Sequence, residues 1–381
     1  MDKIKLIATT AFGLETLVKW EVEDLGFEDM AVSNGKVEFS AEIADIPRAN
    51  MWLRCAGRVQ LKMGEFRATT FDELFEQTKA LPWEDWITRD GQFTVLGSSV
   101  KSQLGSFRAC QSIVKKAIVE RLRHAYKVSW FRENGPEYTV KVSMLRDVAT
   151  LTIDTSGSGL HKRGYRADFG DAALKETLAA AMVKLSFYEP ERILLDPFCG
   201  SGTIPIEAAM LARNIAPGIQ RDFASEAWPT IGLKPWKDAR REAEGAIRRD
   251  IEVQIFGSDI DPAMVELSKN NAQKIGLAED IVFEEKDVRD VWIDKPYGVV
   301  ITNPPYGIRM GEFAEINQLY VSLHKTFRKK KGWSVYVLTA DTKFPDYFKR
   351  AKPNRVRKLF SGPLEVRYYQ YYGERPPRDL D

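Results

Sequence analysis

Cysteine and histidine are scarce in this chain of 381 residues, which has three of each. Scattered cysteines in an odd number do not imply a disulfide framework, and the dispersed histidines lack the short spacing of metal ligands. The six residues are Cys55, Cys110, Cys199, His124, His161 and His324. We therefore expect neither a structural nor a catalytic metal, and we expect the reducing environment of the cytoplasm.

Long apolar runs are also lacking. No run approaches the roughly 20 residues that span a bilayer, and the early charges Asp2, Lys3 and Lys5 are not typical of a secretory signal. These absences argue against a membrane protein and against a secreted one. The composition, 44% hydrophobic and 29% charged, is ordinary for a globular protein, and the length suffices for two or three domains.

The net charge is only +2, but the charge is unevenly distributed. Residues 101–132 contain eight Lys/Arg and one acid, Glu120, while residues 325–358 contain twelve Lys/Arg and two acids, Asp341 and Asp346. One such segment could be a solvated helix face. Two of them in a nearly neutral protein favour a polyanionic partner, and we expect nucleic acid.

The first 156 residues alternate strand and helix patterns, which predicts an α+β module in two parts. Residues 1–66 have strand patterns at 3–11, 37–40 and 59–66 and helix patterns at 13–25 and 43–55, and this β-α-β-β-α-β-like alternation suggests a ferredoxin-like subdomain. In the second part, residues 67–156, a Ser- and Gly-rich loop at 98–108 leads into a basic helix at 109–125. This segment could hold phosphates, although a plain loop with an exposed helix fits it as well. The candidate phosphate-binding residues are Lys101, Arg108, Lys115 and Lys116.

A Gly/Ser joint at 155–159 marks the start of a third domain, residues 157–381. Its strand patterns at 193–195, 253–256, 281–283, 299–301 and 335–339 alternate with helix patterns, and segments 357–360 and 366–372 flank a turn. This order predicts an α/β fold, a Rossmann-like sheet with a C-terminal antiparallel hairpin. Ligands of such sheets bind beyond the carboxyl ends of the strands, so the residues there are the first candidates for chemistry.

Polar residues follow three of these strands in succession. The first strand runs into Asp196-Pro-Phe-Cys-Gly-Ser-Gly-Thr203, whose glycines let a ligand approach the backbone at a helix N-terminus. This turn lacks both the lysine of a P-loop and the dinucleotide glycine spacing. The next two strands end near Asp259 and Asp287, which could accept hydrogen bonds from a ribose diol and an adenine amine. Each acid alone is more simply a helix cap or a surface group, but together they favour an adenosine-containing cofactor.

Asn303-Pro-Pro-Tyr306, which follows the strand at 299–301, is the most specific signal. Its two prolines remove backbone donors and fix the chain with its carbonyls aimed outward. Asn303 Oδ1 and the Pro304 carbonyl could both accept from one NH2 group and direct its lone pair at an electrophile, while Tyr306 could stack on the base. Alone, the tetrapeptide could equally be a turn that closes a strand. Its position downstream of the glycine-rich turn favours catalysis.

Together these motifs resemble, in order and spacing, those of class I S-adenosylmethionine-dependent amino-methyltransferases. The segments Leu160-His-Lys-Arg-Gly-Tyr-Arg166, Leu174-Lys-Glu-Thr-Leu-Ala179, Pro205-Ile-Glu-Ala-Ala209 and Asn214-Ile-Ala-Pro-Gly218 are similar, more narrowly, to THUMP-domain guanine-N2 RNA methyltransferases. The resemblance spans nearly the whole chain and is greatest to the bacterial enzymes that form N2-methylguanosine in large-subunit (23S) rRNA. It implies an RNA partner, S-adenosyl-L-methionine as the cofactor, and extrusion of the target base before transfer.

The resemblance also implies a role for each motif. The catalytic residues would be Asn303, Pro304, Pro305 and Tyr306. The cofactor-binding residues would be Thr177, Asp196, Pro197, Phe198, Gly200, Ser201, Gly202, Thr203, Asp259, Ile260, Asp287 and Asn303, with Asp261 less favoured than Asp259 for the ribose. The RNA-binding residues would be Lys101, Arg108, Lys115, Lys116, Lys162, Arg163 and Arg166. Cys199 lies in the cofactor loop but is not a nucleophile candidate, because cysteine-based methylation serves ring carbons.

Four alternatives remain. Related enzymes act on tRNA, and no motif reads the RNA directly. The same tetrapeptide orients adenine N6 in DNA methyltransferases, but the lack of a large target-recognition domain disfavours that function. It also orients a glutamine amide in protein methyltransferases, but the two basic segments disfavour a protein substrate. An RNA-binding assembly factor without activity is disfavoured because Asp196, Asp259, Asp287 and residues 303–306 are intact.

Overall fold

The computed structural model describes residues 3–166, 174–291, 294–305, 313–349 and 352–375. The chain folds as two compact units. The first comprises Met1–Thr10, Val18–Leu160 and Arg221–Glu242, and the second comprises Ala11–Leu17, His161–Gln220 and Ala243–Asp381.

The N-terminal part of the chain builds one mixed sheet. Its elements are β1 (Ile4–Thr9), α1 (Glu15–Asp24), β2 (Glu28–Ser33), β3 (Lys36–Ala41), α2 (Ile46–Trp52), β4 (Arg58–Arg67), α3 (Phe71–Lys79), β5 (Gln92–Val100), α4 (Phe107–Tyr126), β6 (Glu137–Leu145) and β7 (Val148–Asp154). Among the described residues the strand order is β2-β3-β1-β4-β7-β6-β5, and only β5 and β6 pair in parallel. The predicted α+β module is confirmed.

Helices α3 and α4 begin where the sequence supplies side-chain caps. Thr70 Oγ1 accepts from the Glu73 amide at 3.2 Å, and the Glu73 carboxylate accepts from the Thr70 amide at 3.3 Å, which forms a capping box. Ser106 Oγ accepts from the Ala109 amide at 3.3 Å, so α4 begins two residues before the predicted start. Residues 98–100 extend β5, which makes the predicted loop shorter.

The C-terminal part of the chain builds the second sheet. Its elements are α5 (Glu176–Lys184), β8 (Ile193–Asp196), α6 (Thr203–Ala212), α7 (Leu233–Gly245), β9 (Ile255–Asp259), α8 (Pro262–Lys274), β10 (Ile281–Glu285), β11 (Tyr297–Thr302), α9 (Phe313–Phe327), β12 (Gly332–Thr339), α10 (Phe344–Tyr347), β13 (Arg355–Ser361) and β14 (Leu364–Tyr371). In the described part of the chain the strand order is β10-β9-β8-β11-β12-β14-β13. Strands β8 to β12 pair in parallel, and β14 is antiparallel to both neighbours, so the predicted sheet and hairpin are confirmed.

The chain order along this sheet reverses between β8 and β11. From β8 the chain proceeds outward through β9 and β10, and it then returns to pair β11 with the other side of β8. At such a switch point the loops that follow the two strands diverge and leave a crevice at their carboxyl ends. The ends of β8 and β11, Asp196 and Thr302, therefore lie at the same edge of the sheet.

Helix α9 packs on the sheet through one apolar face. Ile316, Tyr320, Leu323 and Phe327 follow one another at intervals of four, three and four residues, which is the spacing of a helical stripe. All four are buried in a cluster with strand residues that include Val300 of β11. Lys325, which lies between two members of this stripe, is left exposed.

Residues 221–242 pack with the first unit although they follow α6 in the chain. The ring of Trp228 is buried, with its centroid 4.8 Å from that of Tyr138, and its Nε1 donates to the Glu137 carbonyl at 3.1 Å. Helix α7, which begins in this segment, was not predicted. The division of the chain into domains 1–66, 67–156 and 157–381 stays a prediction.

Candidate active site

Asp196, the last residue of β8, is the most buried carboxylate at this edge of the sheet. Its side chain is 1% exposed, and its Oδ1 atom accepts from Thr302 Oγ1 at 2.6 Å and from the Phe198 amide at 3.2 Å. Thr302 ends β11, so this bond joins the two strands at the switch point. The sequence patterns did not single out Thr302, because the partner that gives it a role lies 106 residues away.

Burial raises the pKa of Asp196 to about 7. The hydrogen bonds from Thr302 and Phe198 act in the opposite direction, while the neighbouring Asp259 carboxylate raises the pKa further. A carboxyl group poised in this way can hold a cationic group of a ligand, because a nearby positive charge restores its ionised form.

We predict that Asp196→Asn removes part of the pH dependence of stability. Since the folded pKa lies above the ordinary value of 3.8, folding binds a proton between about pH 4 and 7. The stabilisation is complete below the unfolded pKa and is lost as the pH rises through about 7. Between pH 5 and 8 the wild type should lose about 3 kcal/mol relative to the variant, measured by urea unfolding without ligand. A difference between the two proteins that is equal at both pH values would contradict this assignment.

The glycine-rich turn after β8 is tied to its neighbours by side chains. The Gly200 amide donates to Asp259 Oδ2 at 2.9 Å, and the Asp261 amide donates to Asp259 Oδ1 at 3.0 Å. Asn271 Nδ2 donates to the Ser201 carbonyl at 3.0 Å. Asp259 therefore fixes the conformation of the turn. Asp261 has a different role, because it caps α8 by accepting from the Ala263 amide at 2.9 Å.

Gly202 is required for two reasons at once. Its φ of +79° lies in the left-handed region that favours glycine, and it is the cap residue before α6. A Cβ atom at this position would lie 2.8 Å from Ser268 Cβ and 2.9 Å from Phe283 Cζ. Any larger residue would push the turn away from α8 and β10.

A cavity of about 590 Å³ opens beside this turn. It is lined by Arg166, Leu174, Asp196, Phe198, Cys199, Gly200, Ser201, Thr203, Ile204, Ala263, Met264, Leu267 and Asn303. Six of the predicted cofactor-binding residues belong to this lining, and the other six, Thr177, Pro197, Gly202, Asp259, Ile260 and Asp287, lie outside it. The apolar wall that Ala263, Met264 and Leu267 of α8 form was not predicted, because these residues carry no motif.

Asn303 follows β11 and reaches the same cavity. Its Oδ1 atom is buried and accepts no hydrogen bond from any residue that the structure describes. A buried acceptor without a donor is costly, which marks this atom as the place where a ligand donor belongs. Pro304 is buried and Pro305 is exposed, while Tyr306 lies outside the described residues.

The Asn-Pro-Pro turn rests on a buried tyrosine. Tyr320 Oη lies 3.5 Å from the Pro305 carbonyl oxygen and 3.0 Å from Thr339 Oγ1. Because Tyr320 also belongs to the packed face of α9, it connects the turn to the core.

Asp287 is engaged by a neighbouring arginine. Its Oδ1 atom accepts from Arg289 Nε at 2.8 Å and its Oδ2 from Arg289 Nη2 at 2.5 Å. This pairing holds the pKa of Asp287 below its usual range. The role predicted for Asp287, acceptance of an adenine amine, stays a prediction.

The predicted RNA-binding residues fall into two groups. Four of them are exposed in the first unit: Lys101, Arg108, Lys115 and Lys116. The Lys115 ammonium lies 5.9 Å from the Phe93 ring centroid, and the Lys116 ammonium lies 5.5 Å from the Phe75 ring centroid. Lys162, in the second unit, is exposed as well. These five residues have the exposure that phosphate contacts require.

The expectation that Arg163 contacts RNA is wrong. Its side chain is 1% exposed, and its Nε donates to Glu207 Oε1 at 3.0 Å, with Glu207 itself fully buried. The guanidinium therefore serves an internal ion pair. Arg166 is also turned inward, because it lines the cavity and donates to the Leu174 carbonyl at 3.0 Å and to Glu176 at 3.3 Å.

The described residues include neither a candidate metal site nor a candidate membrane span. No group of three or more His, Cys, Asp and Glu side chains in this part of the chain could hold a metal ion. No helix within it is long and apolar enough to cross a membrane.

Three family models match the chain. Residues 163–370 match an RMKL-like methyltransferase domain, residues 5–60 an RlmL ferredoxin-like domain, and residues 68–154 a THUMP domain. The first of these models covers more than half of the chain.

Individual relatives agree with these models. YpsC of Bacillus subtilis (strain 168), provisionally named an RNA methyltransferase, is 49% identical over 99% of this chain and 98% of its own length. The ribosomal RNA large subunit methyltransferase K/L of Psychromonas ingrahamii is 34% identical over 98% of this chain, which spans only 51% of that protein. SMU.472, provisionally named a methyltransferase and solved in complex with SAH, has a TM-score of 0.93 at 42% identity over 99% of this chain and 100% of its own.

Proposed function

This chain belongs to the RMKL-like methyltransferases that carry an RlmL ferredoxin-like domain and a THUMP domain, and from that premise we propose that it methylates the exocyclic N2 amine of a guanosine in large-subunit (23S) rRNA, using S-adenosyl-L-methionine. The observation that supports the proposal is the buried Asn303 Oδ1 atom, which has no donor among the described residues and lies at the cavity beside the glycine-rich turn.

The residues of the cavity fit this cofactor. Its volume of about 590 Å³ lies within the range of small-molecule sites, roughly 300–1,000 Å³. Asp196 would hold the cationic amino group of the cofactor, and the apolar wall on α8 would cover its less polar parts. Asp259, which fixes Gly200, would accept from the ribose hydroxyls, and Asp287 from the adenine amine. When bound, S-adenosyl-L-methionine supplies a methyl group activated by its sulfonium.

The target amine would be oriented by Asn303 and Pro304. Two acceptors that bind the two hydrogens of one NH2 group would draw the nitrogen lone pair out of conjugation with the base and direct it at the electrophile. We expect the rate enhancement to come from orientation of this kind, without a covalent enzyme intermediate. Tyr306 would stack on the extruded base, and Pro305 would fix the turn.

The first unit would contribute affinity for RNA. The exposed cations Lys101, Arg108, Lys115 and Lys116 lie in or beside the segment that matches the THUMP model. Contacts of such residues with phosphates position a nucleic acid and carry little sequence information. They would offset the cost of extruding the base, about a few kcal/mol.

Transfer of labelled methyl groups into RNA and, separately, DNA from cells that lack this protein tests the proposal. We expect nucleoside analysis to find labelled N2-methylguanosine in large-subunit rRNA. The same nucleoside in tRNA alone would overturn the rRNA substrate and retain the chemistry. Labelled N6-methyladenine in DNA would overturn the choice of base. Cofactor binding without any transfer to nucleic acid would overturn the enzymatic proposal, and a protein substrate or an RNA-binding assembly factor would then have to be considered.

A further inference from the structure

The second unit has a further concave surface, which is strongly basic. It is a groove of about 610 Å³ lined by Arg289, Val291, Ser322, Lys325, Thr326, Arg328, Lys329 and Lys330. The segment after β10 supplies the first two of these residues, and the last turns of α9 with the turn that follows supply the others. We call this surface the α9 groove.

The charge of the α9 groove is unbalanced. Five of its eight lining residues are cations, and none is an acid. The carboxylates that act on Arg289 are those of Asp287 and Asp290, both close to it in sequence. Lys325, Arg328 and Lys329 are exposed. Cations gathered around one concavity repel each other, and an anion placed between them is attracted by all of them.

Two of the cations are held in place before any ligand arrives. Asp287 engages Arg289 through both oxygens, which fixes the plane of the guanidinium while its side chain stays 66% exposed. The Lys330 ammonium lies 5.9 Å from the Trp333 ring centroid. Groups fixed in this way lose less conformational freedom when they bind an anion.

Stabilisation of the helix does not account for this arrangement. Cations in the last turn of a helix interact favourably with its dipole, and Lys325 could serve that purpose in α9. The effect falls off within the last turn. It gives no reason for Arg289 to face the same concavity from another segment, or for Arg328, Lys329 and Lys330 to follow the end of the helix.

We propose that the α9 groove binds backbone phosphates of the RNA substrate, as a docking site separate from the THUMP-containing unit. The inference rests on the proposed function, since it takes the partner to be RNA. A flexible polyanion fits the groove because its cations come from two segments of the chain, Arg289 and residues 325–330, and line one concavity together. Contacts to phosphate alone would contribute affinity and leave the choice of base to the active site.

The test is the double charge reversal Lys325→Glu/Lys329→Glu. Binding of deproteinised large-subunit rRNA is measured by filter retention at several KCl concentrations, alongside methyl transfer and S-adenosyl-L-methionine affinity. We expect the RNA dissociation constant to rise about tenfold or more near 150 mM salt. The magnitude of the slope of log K against log[KCl] should fall by about one to two, as expected for the loss of about two phosphate contacts. The kcat at saturating RNA and the cofactor affinity should stay unchanged.

Two further variants make the result decisive. Lys269→Glu/Lys274→Glu reverses two exposed lysines of α8, outside the groove, and should bind RNA within about twofold of the wild type. Lys325→Arg/Lys329→Arg keeps the charges and should retain binding.

Equal RNA affinity for both reversed proteins would overturn the α9 groove as an RNA site and leave an acidic protein as its partner. A wild-type enzyme that binds RNA but transfers no methyl group would contradict the proposed function alone, since RNA binding still reports on the groove.

Discussion

Asn303→Ala should lower methyl transfer to RNA by about 10³-fold or more, the largest loss of activity that we expect from one substitution. Asn303 Oδ1 is buried at the cavity without a donor among the described residues, and we propose that it accepts from the substrate amine. Loss of one preorganised hydrogen-bonding group in an active site typically costs about 10² to 10³ in kcat, and misorientation of the nucleophile adds to it. Single-turnover kinetics with labelled cofactor and large-subunit rRNA measure this effect.

The matched control is Asn270→Ala, which removes an exposed asparagine on α8 whose Nδ2 donates to Glu266 at 3.3 Å. This variant should keep activity within about twofold, because a surface side chain contributes little. Asn303→Ala should bind S-adenosyl-L-methionine within a few-fold of the wild type, measured by calorimetry. A parallel loss of cofactor affinity and rate would show that Asn303 serves the cofactor and not the amine. Full activity of Asn303→Ala would remove the basis of the proposed function.

The sheet of the second unit could be predicted because the segments of its central strands are short, apolar and bounded by turn residues. β8 and β11 were placed within one or two residues of their observed ends, and with them the approach of Asp196 to Asn303. Parallel strands buried on both faces leave few alternatives for such runs. In contrast, β2 was missed because it is exposed along nearly its whole length and therefore has no alternating pattern.

The parts of the site that escaped prediction depend on contacts between distant segments. Thr302 acquires its role from Asp196, and the wall on α8 acquires its role from the cavity it faces. Arg163 was misjudged because arginines in a basic cluster usually face solvent. Its partner Glu207 lies 44 residues further on and is brought to it only by the packing of α6.

Loss of Glu207 should produce the largest loss of stability. Glu207→Ala removes the carboxylate that neutralises the buried guanidinium of Arg163, to which it is joined by bonds of 3.0 and 3.4 Å. Breaking a buried ion pair from one side typically costs about 3–5 kcal/mol, since a desolvated charge loses its partner. Chemical unfolding combined with amide hydrogen exchange measures the effect. Exchange should accelerate in α6, which carries Glu207, and not in α4 of the first unit.

The double variant Arg163→Met/Glu207→Leu separates the charge from the packing. If the cost of Glu207→Ala arises from the charge left behind, removing both charges with apolar side chains of similar volume should restore stability to within about 2 kcal/mol of the wild type. Both single apolar variants should be less stable than the double variant. Should the double variant be as unstable as the sum of its single changes, the two residues would act independently, and the ion pair would not be what holds α6 beside residues 161–166.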